Sequence, residues 1–315
     1  MIKLGYKVII YNDDPRQYPD GKVEYRLISS QKHSYETDLF ILYRTSHYML
    51  KIVKAKDRWF WSTDQYTTND WNEKIIPYIS KFICISEYHR NYVANRYDIP
   101  NHILWVEPLG INERDYRVAL PKERNKFIFC SVPHRGLGNL LPVWPDIKSK
   151  IPDANLYITS DYRLWGVPYL DNDIYLPMID ELNKSVGGIH PLWKIPREEL
   201  VYHQLTSEMQ TSPNIYDENF GISYMECMAA GCVPVTSKIG ALETTCQDSC
   251  AIRLDGHPDD GVFMQQFVEN VVRLSSDGGL RNKLAANGRN RALEQYSWPM
   301  ISLDWQEKID QALEI

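Results

Sequence analysis

The 315-residue chain contains no apolar run near the ~20 residues that a membrane-spanning helix requires. The expectation is therefore a protein without a transmembrane segment. No cluster of Lys and Arg occurs either, and the formal net charge is -6, which argues against a nucleic-acid partner. None of the six cysteines forms a Cys-x-x-Cys pair. Cys84 and Cys130 lie in apolar, strand-like runs and read as small buried hydrophobes. Cys246 and Cys250 stand four apart with His257 nearby, but further ligands for a metal are lacking. The thiols read as free, in a reducing, cytoplasmic setting, and no metal or cofactor is expected. The start, Met1 to Lys7, leads directly into a strand and lacks the layout of a signal peptide. Internal repeats and low-complexity segments are absent.

What is present suits a globular protein with length enough for two domains: 43% of residues are hydrophobic and 24% charged. Nine Trp and 21 Tyr are mostly core material, with some available to stack on sugar rings. Tyr6–Tyr11 reads as a strand ended by Asn12-Asp13-Asp14-Pro15. Leu39–Tyr43, Arg58–Gln65 and Lys81–Ile85 follow as strands, the second with its carboxyl end at Thr63-Asp64. Ser86 caps a helix running to about Asn95. Ile103–Val106 leads to Pro108-Leu109-Gly110. Strands alternating with helices indicate a parallel, doubly wound α/β sheet, and ligands bind beyond the carboxyl ends of such strands. Arg44 and Asp64 fall there, although either also fits an exposed loop. The polar break Pro121–Asn125 is the expected domain boundary. Phe127–Cys130 opens a second α/β unit, in which Leu140, Leu141, Trp144 and Ile147 recur at helical spacing and Leu156–Thr159 is a strand.

The stretch Asp217–Val235 organises the second half. Glu218 and Glu226 are separated by seven residues, with Phe220-Gly221 between them and Ala229-Ala230-Gly231 after. The reading is loop, helix opened by Gly221, left-handed cap at Gly231, then a buried strand from Val233. A helix start favours anions, because its first N–H groups are unpaired and its dipole is positive there. A phosphate can dock on the amides around Ile222 while the carboxylates accept from sugar hydroxyls. A structural alternative exists: Ser223-x-x-Glu226 also fits a capping box.

The whole string resembles the donor-binding signature of the family-4 retaining glycosyltransferases: Glu, seven residues, Glu, with Phe-Gly inside and Gly-x-Pro-Val after. The segment Ser131-Val132-Pro133-His134-Arg135-Gly136 resembles the place where a basic residue before Gly contacts the donor diphosphate. Ile189–Leu200 is similar to the strand and turn beside the nucleotide base, with Trp193 where relatives have Gly. Tyr296-Ser297-Trp298 matches a further landmark. The resemblance implies the glycosyltransferase B (GT-B) fold, with two Rossmann-like domains facing each other across a cleft. Residues 1–124 would form the acceptor side, 125–298 the donor domain, and the helix 299–315 would pack back onto the first.

It also implies a hexosyltransferase that moves sugar from a UDP- or GDP-sugar to a carbohydrate-containing acceptor, retaining configuration without metal. Catalytic roles fall to Arg135 at the diphosphate, Glu218 at the donor sugar, and Asp64. Glu226 would hold the ribose; Ser131, Gly136, Phe220, Gly221, Ile222 and Gly240 would line the donor site, with Trp193, Lys194 and Ile195 at the base. Gly240 and Ala241 would offer amides to phosphate.

Two departures stand out. Thr63 replaces the His common before the acidic residue, and Cys130-Ser131 replaces a second basic residue of the diphosphate clamp. The first strand and first helix of relatives also have no counterpart before Tyr6, so the N-terminal domain is expected to be reduced. The missing surface would be left to a bulky acceptor, or supplied by a partner subunit or second copy. Alternatives are a non-catalytic, glycosyltransferase-like binding subunit and a nucleotide-sugar epimerase.

Overall fold

The computed structural model describes residues 1–12, 23–27, 36–44, 50, 53–66, 74–159, 161–165 and 172–314. Asp13, Asp14 and Pro15, read as the end of the first strand, lie outside them. The chain divides into two compact units, Met1–Pro108 with Pro299–Ile315, and Leu109–Trp298.

In the first unit, β1 (Ile9–Asn12) pairs in parallel with β2 (Glu24–Leu27). A separate parallel sheet has the order β3 (Glu36–Tyr43), β4 (Lys54–Trp61), β5 (Lys81–Cys84), β6 (Leu104–Val106). Among the described residues, β3 pairs with no strand but β4. The expected strand Arg58–Gln65 therefore begins earlier and ends at Trp61. Beyond it the Asp64 carbonyl lies 3.0 Å from His89 Nε2 and accepts from Ser62 Oγ at 3.2 Å, contacts of a loop and not of a ladder. Helix α1 (Glu87–Tyr97) follows β5. Ser86 is its cap, with Oγ accepting from the His89 amide at 3.0 Å.

The second unit is one parallel sheet of six strands. In chain order it runs β7 (Lys126–Phe129), α2 (Leu137–Leu140), α3 (Trp144–Lys150), β8 (Asn155–Ile158), α4 (Leu176–Ser185), β9 (Ile189–Pro191), α5 (Arg197–Thr206) and β10 (Met209–Ser212). Then come α6 (Ile222–Ala229), β11 (Val233–Ser237), α7 (Leu242–Thr245), β12 (Ile252–Leu254), α8 (Gly261–Ser276) and α9 (Gly278–Gln295). The spatial order is β12-β11-β10-β7-β8-β9. Strands β7, β10 and β11 are buried along their whole length, as parallel strands covered on both faces must be. Phe127, Trp144, Leu156, Val235, Phe267 and Leu274 make the core between sheet and helices.

The segment from Leu109 to Asn125 belongs to this second unit, so the boundary lies at Pro108 and not at the polar break near 124. Ile111 bonds through its backbone to Tyr296 and Trp298, and the buried Tyr116 hydroxyl donates to Gln204 Oε1 at 2.8 Å. The last helix, α10 (Trp298–Leu313), returns to the first unit. There Ile301, Trp305 and Ile309 pack against Trp59 and Ile83.

Candidate functional site

Sheet order explains which loops meet. Strands β7, β10 and β11 are consecutive neighbours, so the loops after their carboxyl ends converge. The first carries Arg135, the second Glu218, the third Gly240. Arg135 Nη1 donates to both oxygens of Glu218, at 2.7 and 2.9 Å. Its guanidinium also lies over the Tyr216 ring, 4.2 Å from the centroid, within cation–π range. Tyr216 is fixed by Asn214: the Asn214 amide donates to the Tyr216 carbonyl at 2.8 Å, and Asn214 Oδ1 accepts from the Tyr216 N–H at 3.2 Å. Glu218 is 6% exposed. Burial pushes its carboxyl above the ordinary range, and Arg135 opposes the rise.

Two glycines let these loops touch. Gly136 has φ 130°, and a Cβ there would sit 2.2 Å from the Pro213 carbonyl oxygen, so the loops after β7 and β10 meet backbone to backbone. At Gly240 (φ 55°) a Cβ would lie 2.6 Å from the Glu218 amide nitrogen. The neighbouring Ala241 N–H donates to the Glu218 carbonyl at 2.7 Å. This turn thus braces the Glu218 loop; the Ala241 amide, read as a phosphate donor, is already engaged.

Helix α6 begins at Gly221 and ends in the expected left-handed cap. Gly231 N–H reaches the Met228 carbonyl at 2.9 Å and Cys232 N–H the Cys227 carbonyl at 2.8 Å, the two bonds of a Schellman motif. Helical geometry leaves the first amides, Ile222 and Ser223, outside the helix's own ladder. Because the N-cap is Gly221, Ser223 is already inside the helix and forms no capping box with Glu226. Glu226 instead pairs with Arg197 Nη1 at 2.8 Å and accepts from Gln204 Nε2 at 3.4 Å. Burial raises its carboxyl too, against the pull of Arg197 and Gln204.

The remaining candidates divide. Ser131 is buried in the β7 loop beside Arg135. Phe220 is 2% exposed with its ring edge-on to Tyr296 at 5.5 Å, so it anchors the loop by packing and is corrected from ligand contact to core. Trp193 has φ 54°, a left-handed conformation that explains why a glycine would suit the position. Its amide reaches the Ile158 carbonyl at 2.9 Å and its side chain packs on the core. Lys194 is exposed and Ile195 half-buried in the same turn after β9. Asp64 belongs to the first unit, half-buried and ion-paired with the exposed Arg44, each past the end of adjacent strands.

Reasoning from sequence missed Tyr216, Gln204, Asp115, Tyr116 and the role of Arg197. One signal was available: Arg197 opens α5, where a cation opposes the helix dipole and calls for another partner. All six cysteines are free. Cys130 is half-buried beyond the end of β7, with its sulfur 3.4 Å from that of the buried Cys227. Among the described residues no group of three or more His, Cys, Asp or Glu is placed to hold a metal ion, and no helix is long and apolar enough to cross a membrane.

No protein-family model matches the chain. Among curated proteins it is 25% identical over 238 residues to the MMP alpha-(1->4)-mannosyltransferase of Mycolicibacterium hassiacum, covering 74% of this chain and 54% of that protein. It is 25% identical over 201 residues to a GDP-mannose-dependent alpha-(1-6)-phosphatidylinositol monomannoside mannosyltransferase of Mycolicibacterium smegmatis, covering 61% and 47%. The chain spans about half the length of these relatives. Among solved structures, a glycosyltransferase from Rickettsia africae superposes with TM-score 0.69 at 16% identity, over 87% of this chain and 77% of that one. The chain thus has the α/β fold of the GT-B glycosyltransferases, with Rossmann-like domains, and its sequence relatives are mannosyltransferases.

Proposed function

We propose that the protein transfers a sugar from a nucleotide-sugar donor to a carbohydrate-containing acceptor, retaining the anomeric configuration and using no metal. The observation that carries this reading is the Arg135–Glu218 pair, backed by Tyr216 and set at the carboxyl ends of β7 and β10 before the start of α6. Arg135 and the first amides of α6 stabilise the leaving diphosphate, where charge develops as the bond to the sugar breaks. The planar fork of a guanidinium matches phosphate oxygens as well as carboxylate oxygens, so Arg135 suits a diphosphate. Glu218 accepts from hydroxyls of the donor sugar, and Glu226 from the ribose. Attack comes from the same face as departure, with the leaving phosphate oxygen taking the acceptor's proton. Asp64 acts on the acceptor side.

The names of the relatives make GDP-mannose the first donor to try. The test is release of GDP or UDP from GDP-mannose and a panel of UDP-sugars, with and without a carbohydrate acceptor, and with EDTA added. Turnover that survives EDTA is expected. Binding without turnover on any donor would favour the non-catalytic subunit, and no nucleotide binding at all would end the reading.

A further inference from the structure

We propose that Arg197 is a positioning residue for the donor nucleotide, holding Glu226 as an oriented carboxylate for the ribose hydroxyls. This rests on the reading of Glu226 given above. A carboxylate that recognises vicinal hydroxyls must keep both oxygens ionised and aimed, and α6 alone does not aim the long Glu side chain. The structure supplies a closed circuit that does. Arg197 Nη1 lies 2.8 Å from Glu226 Oε1, and Gln204 Nε2 lies 3.4 Å from Oε2, so each oxygen has one donor and keeps acceptor capacity. Tyr116 closes the ring: its hydroxyl donates to Gln204 Oε1 at 2.8 Å and accepts from Arg197 Nη2 at 3.0 Å.

Arg197 itself is clamped from the other side. Its Nε and Nη2 donate to Asp115 Oδ2 at 3.0 and 2.9 Å. Two helices and the segment preceding β7 thus converge on one carboxylate. Tyr116, the hub, is wholly buried, and Arg289 of α9 fixes its carbonyl. A surface ion pair has no need of such a frame, since exposed pairs contribute little and tolerate mobile side chains. The cation at the first position of α5 opposes the helix dipole, a cost that its partners must offset.

The test compares affinities of the full chain for GDP and UDP with those for their 2′-deoxy and 3′-deoxy analogues. Loss of a hydrogen bond to a charged group should weaken at least one analogue by about 10-fold in the wild type. In Arg197→Ala that ribo-to-deoxy ratio should collapse towards one, with Arg197→Lys in between. Glu226→Gln should collapse it equally, and adding Arg197→Ala to Glu226→Gln should change it no further. Should Arg197→Ala fold poorly, Asp115→Asn loosens the clamp while keeping the cation, and should lower the ratio part of the way. A collapse with Glu226→Gln but an unchanged ratio in Arg197→Ala and Asp115→Asn would overturn this proposal alone. An unchanged ratio in Glu226→Gln would overturn it together with the assignment of Glu226 to ribose. Equal weakening of ribo and deoxy ligands in Arg197→Ala would make the circuit merely structural, and also overturn it.

Discussion

The two units solve the same packing problem differently. The second buries its central strands entirely, and its buried charges meet specific partners: Glu218 with Arg135, Glu208 with Arg281, and Lys126 with the exposed Glu123. The first has half-exposed strands, with β3 and β4 open over their first residues; one of its core clusters is mostly aliphatic, and the other is built around large rings. Trp59 lies between Trp105 and Trp305, at centroid distances of 5.2 and 6.1 Å. Burying aromatic area gives stability with little demand for register. Burying paired charges contributes little net stability, because desolvation offsets attraction, but it fixes groups in place. The contrast agrees with the proposed reading, in which the donor is held by the second unit and Asp64 of the first acts towards the acceptor.

The largest effect should come from breaking the aromatic core. Trp59→Ala removes a fully buried ring and should cost about 3–5 kcal/mol, the usual range for Phe or Trp truncation. Thermal unfolding should begin at lower temperature, while nucleoside diphosphate affinity at low temperature stays near wild type. Parallel loss of affinity would show that the two units do not divide the work as described.

Next is Arg135→Ala, expected to lower turnover at least ~100-fold, the scale of one lost preorganised charge stabiliser. Lysine should restore part of it as a point charge without the planar fork. Alanine turnover within a few-fold of wild type would move the diphosphate clamp elsewhere. Unfolding must be followed on the same samples, because the mutation also strands Glu218 without its partner.

Gly136→Ala tests the backbone contact between the two site loops. Its φ of 130° and the blocked Cβ position predict a loss of about 1–3 kcal/mol, the range for strained backbone. Donor affinity should fall with it, because the β7 loop must retreat from Pro213. A stable Gly136→Ala protein with normal affinity would show that the loops tolerate separation.

Much of the second unit was legible because its signals are local. Gly221 and Gly231 punctuate a short helix, and strands flanked by turns follow from periodicity. The carboxylates Glu218 and Glu226 stand out by spacing. What was not legible lies across sequence distance. Nothing near Arg197 says that its partner is Glu226 on another helix, or that Asp115 and Tyr116 complete the circuit. A charged helix start reads as a solvated face. Phe220 looked like site lining because it sits within the motif, but burial against Tyr296 took precedence. The boundary was misplaced for a related reason: a polar break marks a turn, while Ile111 and Tyr116, on its near side, already pack into the second unit. In the first unit, the split between β1–β2 and the four-stranded sheet depends on pairing, which composition does not encode.

The smallest predicted effect concerns pH, and it separates the two units. Burial holds the Glu218 and Glu226 carboxyls above their ordinary range, and the same is true of Glu107 in the first unit, where Lys308 opposes the rise. Each carboxyl binds its proton more firmly folded than unfolded. Stability from these groups is therefore fully present below the unfolded carboxylate range, about pH 4, and is lost as pH rises through the folded values. On the proposed roles of Glu226 and Glu218, donor binding should run the other way, because accepting from ribose and sugar hydroxyls calls for the ionised carboxylates. Melting temperature and GDP affinity, measured from about pH 4 to 7, should thus show opposite slopes over a shared window. Glu226→Gln should flatten part of both curves, because it removes a carboxyl that serves both. Glu107→Gln should flatten only the stability curve, because its carboxyl belongs to the first unit, not to the one proposed to hold the donor. A Glu107→Gln protein whose GDP affinity loses its pH dependence would tie the first unit to donor recognition and break the division of labour between the units.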